Sequence, residues 1–437
     1  MRVAIAGYGV EGEQNYRYWA GRGDEVTIID EREQLDRTIP AGAQVRLGEG
    51  SLDALDDFDM VVRTAGLSPA KLVTQTKIWS ATNEFFVQCP APIIGVTGSK
   101  GKGTTCSLIT SVLRAAGYTV HLVGNIGTPA LEVLSEISPD HIVVYELSSF
   151  QLWDIERSPH FAAVLHIEPD HLDVHADFDE YIMAKSRIVA FQSSDDTCVY
   201  HPTNQWSEQI ARQHPHFSTN TAKYAQRSAD PSAVATVRVD GEYFVTSSGD
   251  IVAPVQSLML PGTHNIDNAC AALSVCLNYD VTPEQYARGL SQFGGLPHRL
   301  RIVAEKNSVV YYDDSIATTP GSAIAAIAAF NAPKVLLLGG SYKGADFTEL
   351  ASTIRDSDVR HVLLMGEETG RIAQTLEKAG VSSYEYVDGT MNDIVRRASE
   401  VAQPGDVVIL SPACASFGMF RDYKDRGDQF IAAVETL

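Results

Sequence analysis

The chain has 437 residues, 44% of them hydrophobic and 20% charged, and its formal net charge is −21. That length exceeds one ordinary core and predicts two or three domains, while so acidic a balance excludes wholesale coating of nucleic acid or of an anionic membrane. No apolar run is long enough to span a bilayer, no signal-peptide pattern precedes Arg2-Val3-Ala4-Ile5-Ala6, and the six cysteines form no CxxC pair. A cytoplasmic protein without zinc or disulfides is therefore expected.

Short apolar runs alternate with helix-length amphipathic stretches. Strands are predicted at 3–6, 26–29, 60–63, 93–97, 142–145 and 162–167, then at 309–312, 335–338, 361–365 and 407–410. Many are solid rather than alternating runs, which suits parallel strands covered on both faces and predicts an α/β fold. Gln88-Cys89-Pro90-Ala91-Pro92 and Gly294-Gly295-Leu296-Pro297 punctuate the chain into expected domains 1–90, 91–296 and 297–437. The stretch from about 193 to 258 is polar and β-leaning and carries no legible chemistry.

The first strand runs into Gly7-Tyr8-Gly9-Val10-Glu11-Gly12, and Asp30, followed by Glu31 and Arg32, closes the second. Three glycines between strand and helix, with an acid after the next strand, form a dinucleotide fingerprint. The free N–H groups of a helix N-terminus hold any pyrophosphate. NAD and another nucleotide diphosphate therefore both remain open from these residues.

The strand at 93–97 leads into Gly98-Ser99-Lys100-Gly101-Lys102-Gly103-Thr104-Thr105 and then a helix. Such a loop cradles phosphates with its backbone, Lys102 supplies a cation, and Thr104 is the hydroxyl candidate for a Mg²⁺. The alternative is a glycine turn with a solvated lysine. Further along come Asn125-Ile126-Gly127, Glu146-Leu147-Ser148-Ser149-Phe150-Gln151 and Asp170-His171-Leu172-Asp173. Ala184-Lys185-Ser186-Arg187, His264-Asn265-Ile266-Asp267-Asn268-Ala269 and Leu296-Pro297-His298-Arg299 follow.

Taken in order, these segments resemble the motifs of the Mur ligase and folylpolyglutamate synthetase superfamily. The resemblance implies three α/β domains: an N-terminal Rossmann-like domain for a UDP-sugar, a central phosphate-loop ATPase domain, and a C-terminal Rossmann-like domain for an amino acid. ATP is then expected on the 98–105 loop with Asn268, Arg299 and Asp314. The UDP-sugar is expected on Gly7, Gly9, Val10, Asp30, Glu31, Arg32, Asn125, Ser148 and Gln151. Thr104, Glu146, His171 and Lys185 are the implied holders of two Mg²⁺ ions. An ammonium beside Mg²⁺ would repel it, and the resemblance implies that Lys185 is carbamylated; on the residues alone a solvated lysine on a polar helix face is the favoured reading. Lys102, His171, Lys185 and Arg299 are the expected catalytic groups.

Asp313-Asp314-Ser315-Ile316-Ala317-Thr318, Gly339-Gly340-Ser341-Tyr342-Lys343-Gly344 and Ser411-Pro412-Ala413-Cys414-Ala415-Ser416-Phe417 resemble the glutamate-adding members, with Ile316 in place of a usual lysine. The implied reaction joins D-glutamate to UDP-N-acetylmuramoyl-L-alanine through an acyl phosphate, in peptidoglycan synthesis. An L-glutamate-adding variant and a folylpolyglutamate synthetase-like ligase are the alternatives. Thr318, Lys343, Ser416 and Tyr423 are the candidate glutamate contacts, although Thr318 and Ser416 would serve equally as helix caps. A monomer that binds neither nucleic acid nor membrane is expected.

Overall fold

A computed structural model describes residues 1–35, 37–224, 236–341 and 344–437. The chain divides into two compact units, Met1–Leu258 with Ile266–Gln292, and Met259–Asn265 with Phe293–Leu437. Among the described residues no helix is long and apolar enough to cross a membrane.

The first unit contains two parallel sheets. One is built from β1 (Arg2–Ala6), β2 (Glu25–Asp30), β3 (Gln44–Leu47), β4 (Met60–Arg63) and β5 (Ile78–Ser80), with α1 (Val10–Gly21) after β1 and α2 (Ala81–Gln88) after β5. Its order is β3-β2-β1-β4-β5. The other comprises β6 (Ile93–Thr97), β7 (Val120–Gly124), β8 (Ile142–Glu146), β9 (Phe161–Val164), β10 (Thr197–Tyr200) and β11 (Thr221–Lys223). Its order is β11-β10-β9-β6-β8-β7, which places the phosphate-loop strand between the strands that end at Glu146 and Val164. Helices α3 (Lys102–Ala115), α4 (Ala130–Val133), α5 (Ser149–Leu152), α6 (Phe178–Ala190), α7 (Gln205–Ala211) and α8 (Phe217–Asn220) connect its strands. The last part of the β-leaning stretch, residues 237–254, forms the antiparallel meander β12 (Val237–Asp240), β13 (Tyr243–Thr246) and β14 (Ile251–Pro254), whereas its first part holds β10, α7, α8 and β11. Helices α9 (Thr263–Cys276) and α10 (Pro283–Gln292) follow.

The second unit is a six-stranded sheet of β15 (Arg301–Lys306), β16 (Val309–Asp313), β17 (Lys334–Gly339), β18 (Val359–Met365), β19 (Tyr384–Tyr386) and β20 (Val407–Leu410). Its order is β15-β16-β20-β17-β18-β19, and all neighbours are parallel except the β15–β16 hairpin. Helices α11 (Pro320–Ala328), α12 (Thr348–Asp356), α13 (Thr369–Lys378), α14 (Met391–Val401) and α15 (Tyr423–Glu435) complete it.

The solid apolar runs of the N-terminal and second-unit sheets are explained by cores on both of their faces. In β1, Ala4 and Ala6 join one cluster and Val3 and Ile5 the other. In β17, Leu336 and Leu338 feed one side and Val335 and Leu337 the other. Strand side chains alternate faces, so an element buried on both sides must be apolar at every position. The strands that the pattern omits, such as β3, β5, β7 and β19, lie at sheet edges, where polar residues are tolerated. The strand expected at 162–167 stops at Val164, because the following residues turn to support the phosphate loop: His166 O accepts from Ser99 N at 3.0 Å.

Two glycines of the N-terminal turn are demanded by space. Gly7 has φ +92°, and a Cβ there would lie 2.2 Å from Thr64 Oγ1. A Cβ on Gly12 would lie 2.3 Å from the backbone oxygen of Gly7, whereas one on Gly9 would meet nothing within 4 Å. Gly12→Ala should therefore cost about 1–3 kcal/mol, since backbone must move. Gly9→Ala should stay within about 0.5 kcal/mol, as at an uncrowded surface position. Urea unfolding of the two variants measures this, and an equal loss of stability would contradict the packing.

Candidate functional site

The phosphate loop joins β6 to α3. Gly101 caps the helix in a left-handed conformation (φ +84°) and offers no side-chain acceptor, so the first-turn N–H groups around Lys102, Gly103 and Thr104 point toward a potential anion. A Cβ on Gly101 would lie 2.3 Å from Asn268 Oδ1, and one on Gly98 2.7 Å from Leu165 Cβ. Glycine at these positions thus lets the Asn268 amide and the 165–166 backbone close on the loop. Thr105 Oγ1 donates to Asn268 Oδ1 at 3.5 Å. Ser99 Oγ donates to the Glu168 carbonyl at 2.7 Å and lies 2.8 Å from the Tyr181 hydroxyl, which pins the loop from below. Lys100 points outward and pairs with Glu168 at 2.6 Å.

Two amines meet at this loop. Lys102 Nζ donates to Gly98 O at 2.9 Å and to Ser99 O at 3.0 Å. Lys185 Nζ, projected from α6, donates to the same Gly98 O at 3.0 Å and to Thr97 Oγ1 at 3.2 Å. Lys185 is 1% exposed. Burial first, and the charge of Lys102 second, hold its pKa well below the ordinary lysine value; Asp170 and Glu146 oppose this only in part. The solvated-lysine reading of Lys185 is therefore set aside.

Glu146 ends β8 beside β6. Its Oε1 accepts from Asn125 Nδ2 at 3.1 Å, while its Oε2 is buried with no hydrogen-bond partner. A buried carboxylate oxygen without a donor calls for a cation. Thr104, buried in the first turn of α3, offers a hydroxyl at the same loop. These hard oxygen donors fit Mg²⁺, which prefers one or two carboxylates and keeps positions for water and phosphate. Among the described residues, no three of His, Cys, Asp and Glu gather as a protein-only metal cage.

His171 lies half exposed with φ +54°, 3.7 Å from Asp170 Oδ2, its ring 4.9 Å from that of Phe150. The sequence reading missed its neighbour His175, which is buried, bonded through Nε2 to Ser149 Oγ at 2.9 Å, and stacked on Phe150. The i, i+4 spacing from His171 was its one visible signal.

In the N-terminal turn, Asp30 accepts from Tyr8 N at 2.8 Å and from Arg32 Nε at 2.9 Å. Burial would raise its pKa, but Arg32 and the two backbone donors outweigh that and lower it. Glu31 pairs with Lys71 at 2.6 Å, and Val10 opens α1 exposed to solvent. Ser148 and Gln151 form a reciprocal capping box on α5, which uses the Ser148 hydroxyl and Gln151 Oε1 for local structure.

In the second unit, Arg299 sits between His298 (φ +60°) and Leu300 (φ +45°). Asp313 Oδ2 lies 2.7 Å from His298 Nδ1, and Asp314 Oδ1 accepts from Leu300 N at 3.1 Å. Ser411 Oγ donates to Asp314 Oδ2 at 2.7 Å, so both Asp314 oxygens are engaged within the unit. Burial pushes the Asp314 carboxyl up to about 7. The loops after β16, β17 and β20 meet: Ala413 N donates to Ala317 O and Ser341 N to Ala415 O, each at 2.9 Å. Neighbouring parallel strands thus bring Thr318 and Ser416 to one end of the sheet, where ligands of such sheets bind. The Tyr423 carbonyl accepts from Ser315 Oγ at 2.8 Å. Lys343 lies outside the described residues. Sequence reading also missed Arg426, fully buried, which donates to Ser315 Oγ, Ser315 O and Cys414 O at 2.9, 2.8 and 3.1 Å.

Comparison with known proteins agrees with this geometry. The Mur ligase middle domain profile matches residues 96–276, and the Mur ligase glutamate ligase domain profile matches residues 298–414. The chain is 35% identical to a UDP-N-acetylmuramoylalanine--D-glutamate ligase of Symbiobacterium thermophilum, over 100% of this chain and 98% of the relative. It is 32% identical to the Clostridium tetani protein of the same name, over 100% and 97%. Among solved structures, the UDP-N-acetylmuramate-alanine ligase of Thermotoga maritima aligns with a TM-score of 0.63 at 16% identity, over 100% of this chain and 99% of that one. The MurF ligase of the same organism, in complex with ADP, aligns at 0.59 and 18%, over 99% and 94%. At such identities these two speak to fold alone. With both family domains matched in order and full-length relatives above 30% identity, the chain belongs to the Mur ligase family.

Proposed function

We propose that this protein is an ATP-dependent, ADP-forming ligase that joins D-glutamate to UDP-N-acetylmuramoyl-L-alanine in peptidoglycan synthesis. The observation that carries the reading is the phosphate loop with its paired amines, Lys102 and Lys185, together with the partnerless buried oxygen of Glu146 at the end of the adjacent strand, in a chain aligned end to end with D-glutamate ligases. Residues 1–90 would take the UDP-sugar, 91–296 ATP, and 297–437 glutamate. The six free cysteines suit a cytoplasmic setting, and the protein would work as a monomer.

The alanine carboxylate of the UDP-sugar attacks the γ-phosphorus of ATP, giving an acyl phosphate and ADP. The glutamate amine then attacks the acyl carbon, phosphate leaves, and the amine proton passes to solvent. Transfer between anions is mainly a matter of position and charge neutralisation. The backbone N–H groups at 101–104 hold the phosphates, Lys102 swings from its own loop carbonyls to the γ-phosphoryl oxygens, and Arg299 adds a second cation. Asn268 and Asp314 order the ATP side. Thr104, Glu146, His171 and Lys185 would hold two Mg²⁺ ions, which neutralise phosphate charge when bound. Lys185 fits that set only after its neutral amine has captured CO₂: nitrogen bonds to the carbon, a proton is lost to water, and a carbamate anion remains. Thr318, Lys343, Ser416 and Tyr423 would receive glutamate. Ile316 brings no cation to that pocket, so its donors must be hydroxyls, Lys343 and backbone.

Phosphate release from ATP with UDP-N-acetylmuramoyl-L-alanine and a panel of amino acids tests the reading. D-glutamate should support turnover; release with another amino acid and with neither glutamate enantiomer would overturn it. Lys102→Ala should keep its fold and lose turnover by a factor on the order of 10² or more, the scale of one transition-state charge stabiliser; near-normal release would remove the loop from the mechanism. Lys185→Ala should be nearly inactive and regain part of its activity in acetate, which can occupy the vacated anionic position. A fully active variant, or one that carboxylates never rescue, would contradict the carbamate.

A further inference from the structure

The N-terminal sheet is tied to the Glu146–Gln151 motif by one side chain that the reaction scheme does not use. Arg63, the last residue of β4, is 0% exposed. A guanidinium has five N–H donors in a fixed fork, and here each finds an acceptor. Nε and Nη2 donate to the two Asp154 carboxylate oxygens at 2.7 and 2.9 Å, and Nη2 also to Phe150 O at 2.9 Å. Nη1 donates to Thr64 O at 3.1 Å and Leu67 O at 2.8 Å.

Each acceptor lies next to a proposed ligand segment. On one side, the 64–67 turn lies over the glycine loop: Thr64 Oγ1 donates to Ala6 O at 3.0 Å, and it is the atom that forbids a Cβ on Gly7. Ala65 N donates to Glu11 Oε2 at 2.8 Å, in the first turn of α1. On the other side, Phe150 belongs to α5, whose cap is Ser148 with Gln151, immediately after Glu146. Asn83 braces the same corner, donating to Asp154 O at 2.9 Å and accepting from Glu156 N at 2.8 Å.

We infer that Arg63 and Asp154 are a positioning pair for the UDP-sugar: they fix the spacing between the glycine loop, which takes the diphosphate end, and the Ser148–Gln151 segment, which addresses the sugar. The inference rests on the proposed function, which supplies a ligand long enough to use both segments. A purely structural salt bridge would change stability and leave the affinities of the folded protein alike. A positioning pair changes one affinity and not the other, because the ATP loop at 98–105 is held by Ser99, Tyr181 and Asn268 instead.

The test uses the full-length protein with Arg63→Lys, which keeps the charge and loses the fork, and Asp154→Asn, which keeps the shape and loses the charge. Calorimetry should show UDP-N-acetylmuramoyl-L-alanine bound about tenfold or more weakly by each variant, a modest share of what an ångström of misplacement can cost. ATP affinity should change less than twofold, and the double variant should lose less than the product of the two single losses. Unchanged UDP-sugar affinity in a folded variant, or parallel loss of ATP affinity, would overturn the pairing. Wild-type protein that binds ATP but ignores the UDP-sugar would overturn the proposed function and this inference with it.

Discussion

Two lysine ammonium groups held at one carbonyl oxygen inside a protein repel each other. Lys102 and Lys185 converge on Gly98 O at 2.9 and 3.0 Å, and Lys185 is buried. Charge repulsion and desolvation act in the same direction on Lys185 and favour its neutral form. The rest of the site depends on that asymmetry. In the proposed function Lys102 would serve as the loop's cation, while Lys185 would become a nucleophile toward CO₂ and a source of negative charge. Glu146, with one oxygen held by Asn125 and one left over, ends the next strand.

Three cations of this acidic chain are used internally. Arg63, Lys185 and Arg426 rank among its largest fully buried side chains, each bonded to backbone carbonyls or hydroxyls of a loop. Burial presses the Arg426 guanidinium down to about 10, which leaves it protonated at neutral pH. A buried arginine whose donors are all matched by carbonyls fixes backbone geometry more firmly than a surface pair, which solvent screens. The net charge of −21 thus excludes broad anion binding without excluding local anion sites.

Much of the scaffold was legible in the sequence because its causes are local. Strands covered on both faces must be apolar throughout, and a strand that meets a glycine turn and a helix start announces a phosphate or pyrophosphate site. The Lys102 loop and the Gly7–Gly12 turn were read on that basis, and Gly12 packs with no room for any side chain. What escaped depends on partners distant along the chain. Arg63 meets Asp154 across 91 residues and Arg426 meets Ser315 across 111, and neither arginine stands in a pattern that marks it. Ser148 and Gln151 were read as ligand contacts, while their spacing also spells the capping box that the structure contains. The burial of Lys185 was legible but went unread: Tyr181, Ile182, Ile188 and Val189, at i−4, i−3, i+3 and i+4 from it, form the buried apolar stripe of its helix.

The most direct test of this account is the chemical state of Lys185. Wild-type protein and Lys185→Ala would be equilibrated with ¹³C-labelled bicarbonate and compared by carbon NMR. The account predicts a carbamate resonance in the wild type, lost on acidification and absent from the variant. Wild-type protein that turns over normally while showing no such signal at saturating bicarbonate would contradict it.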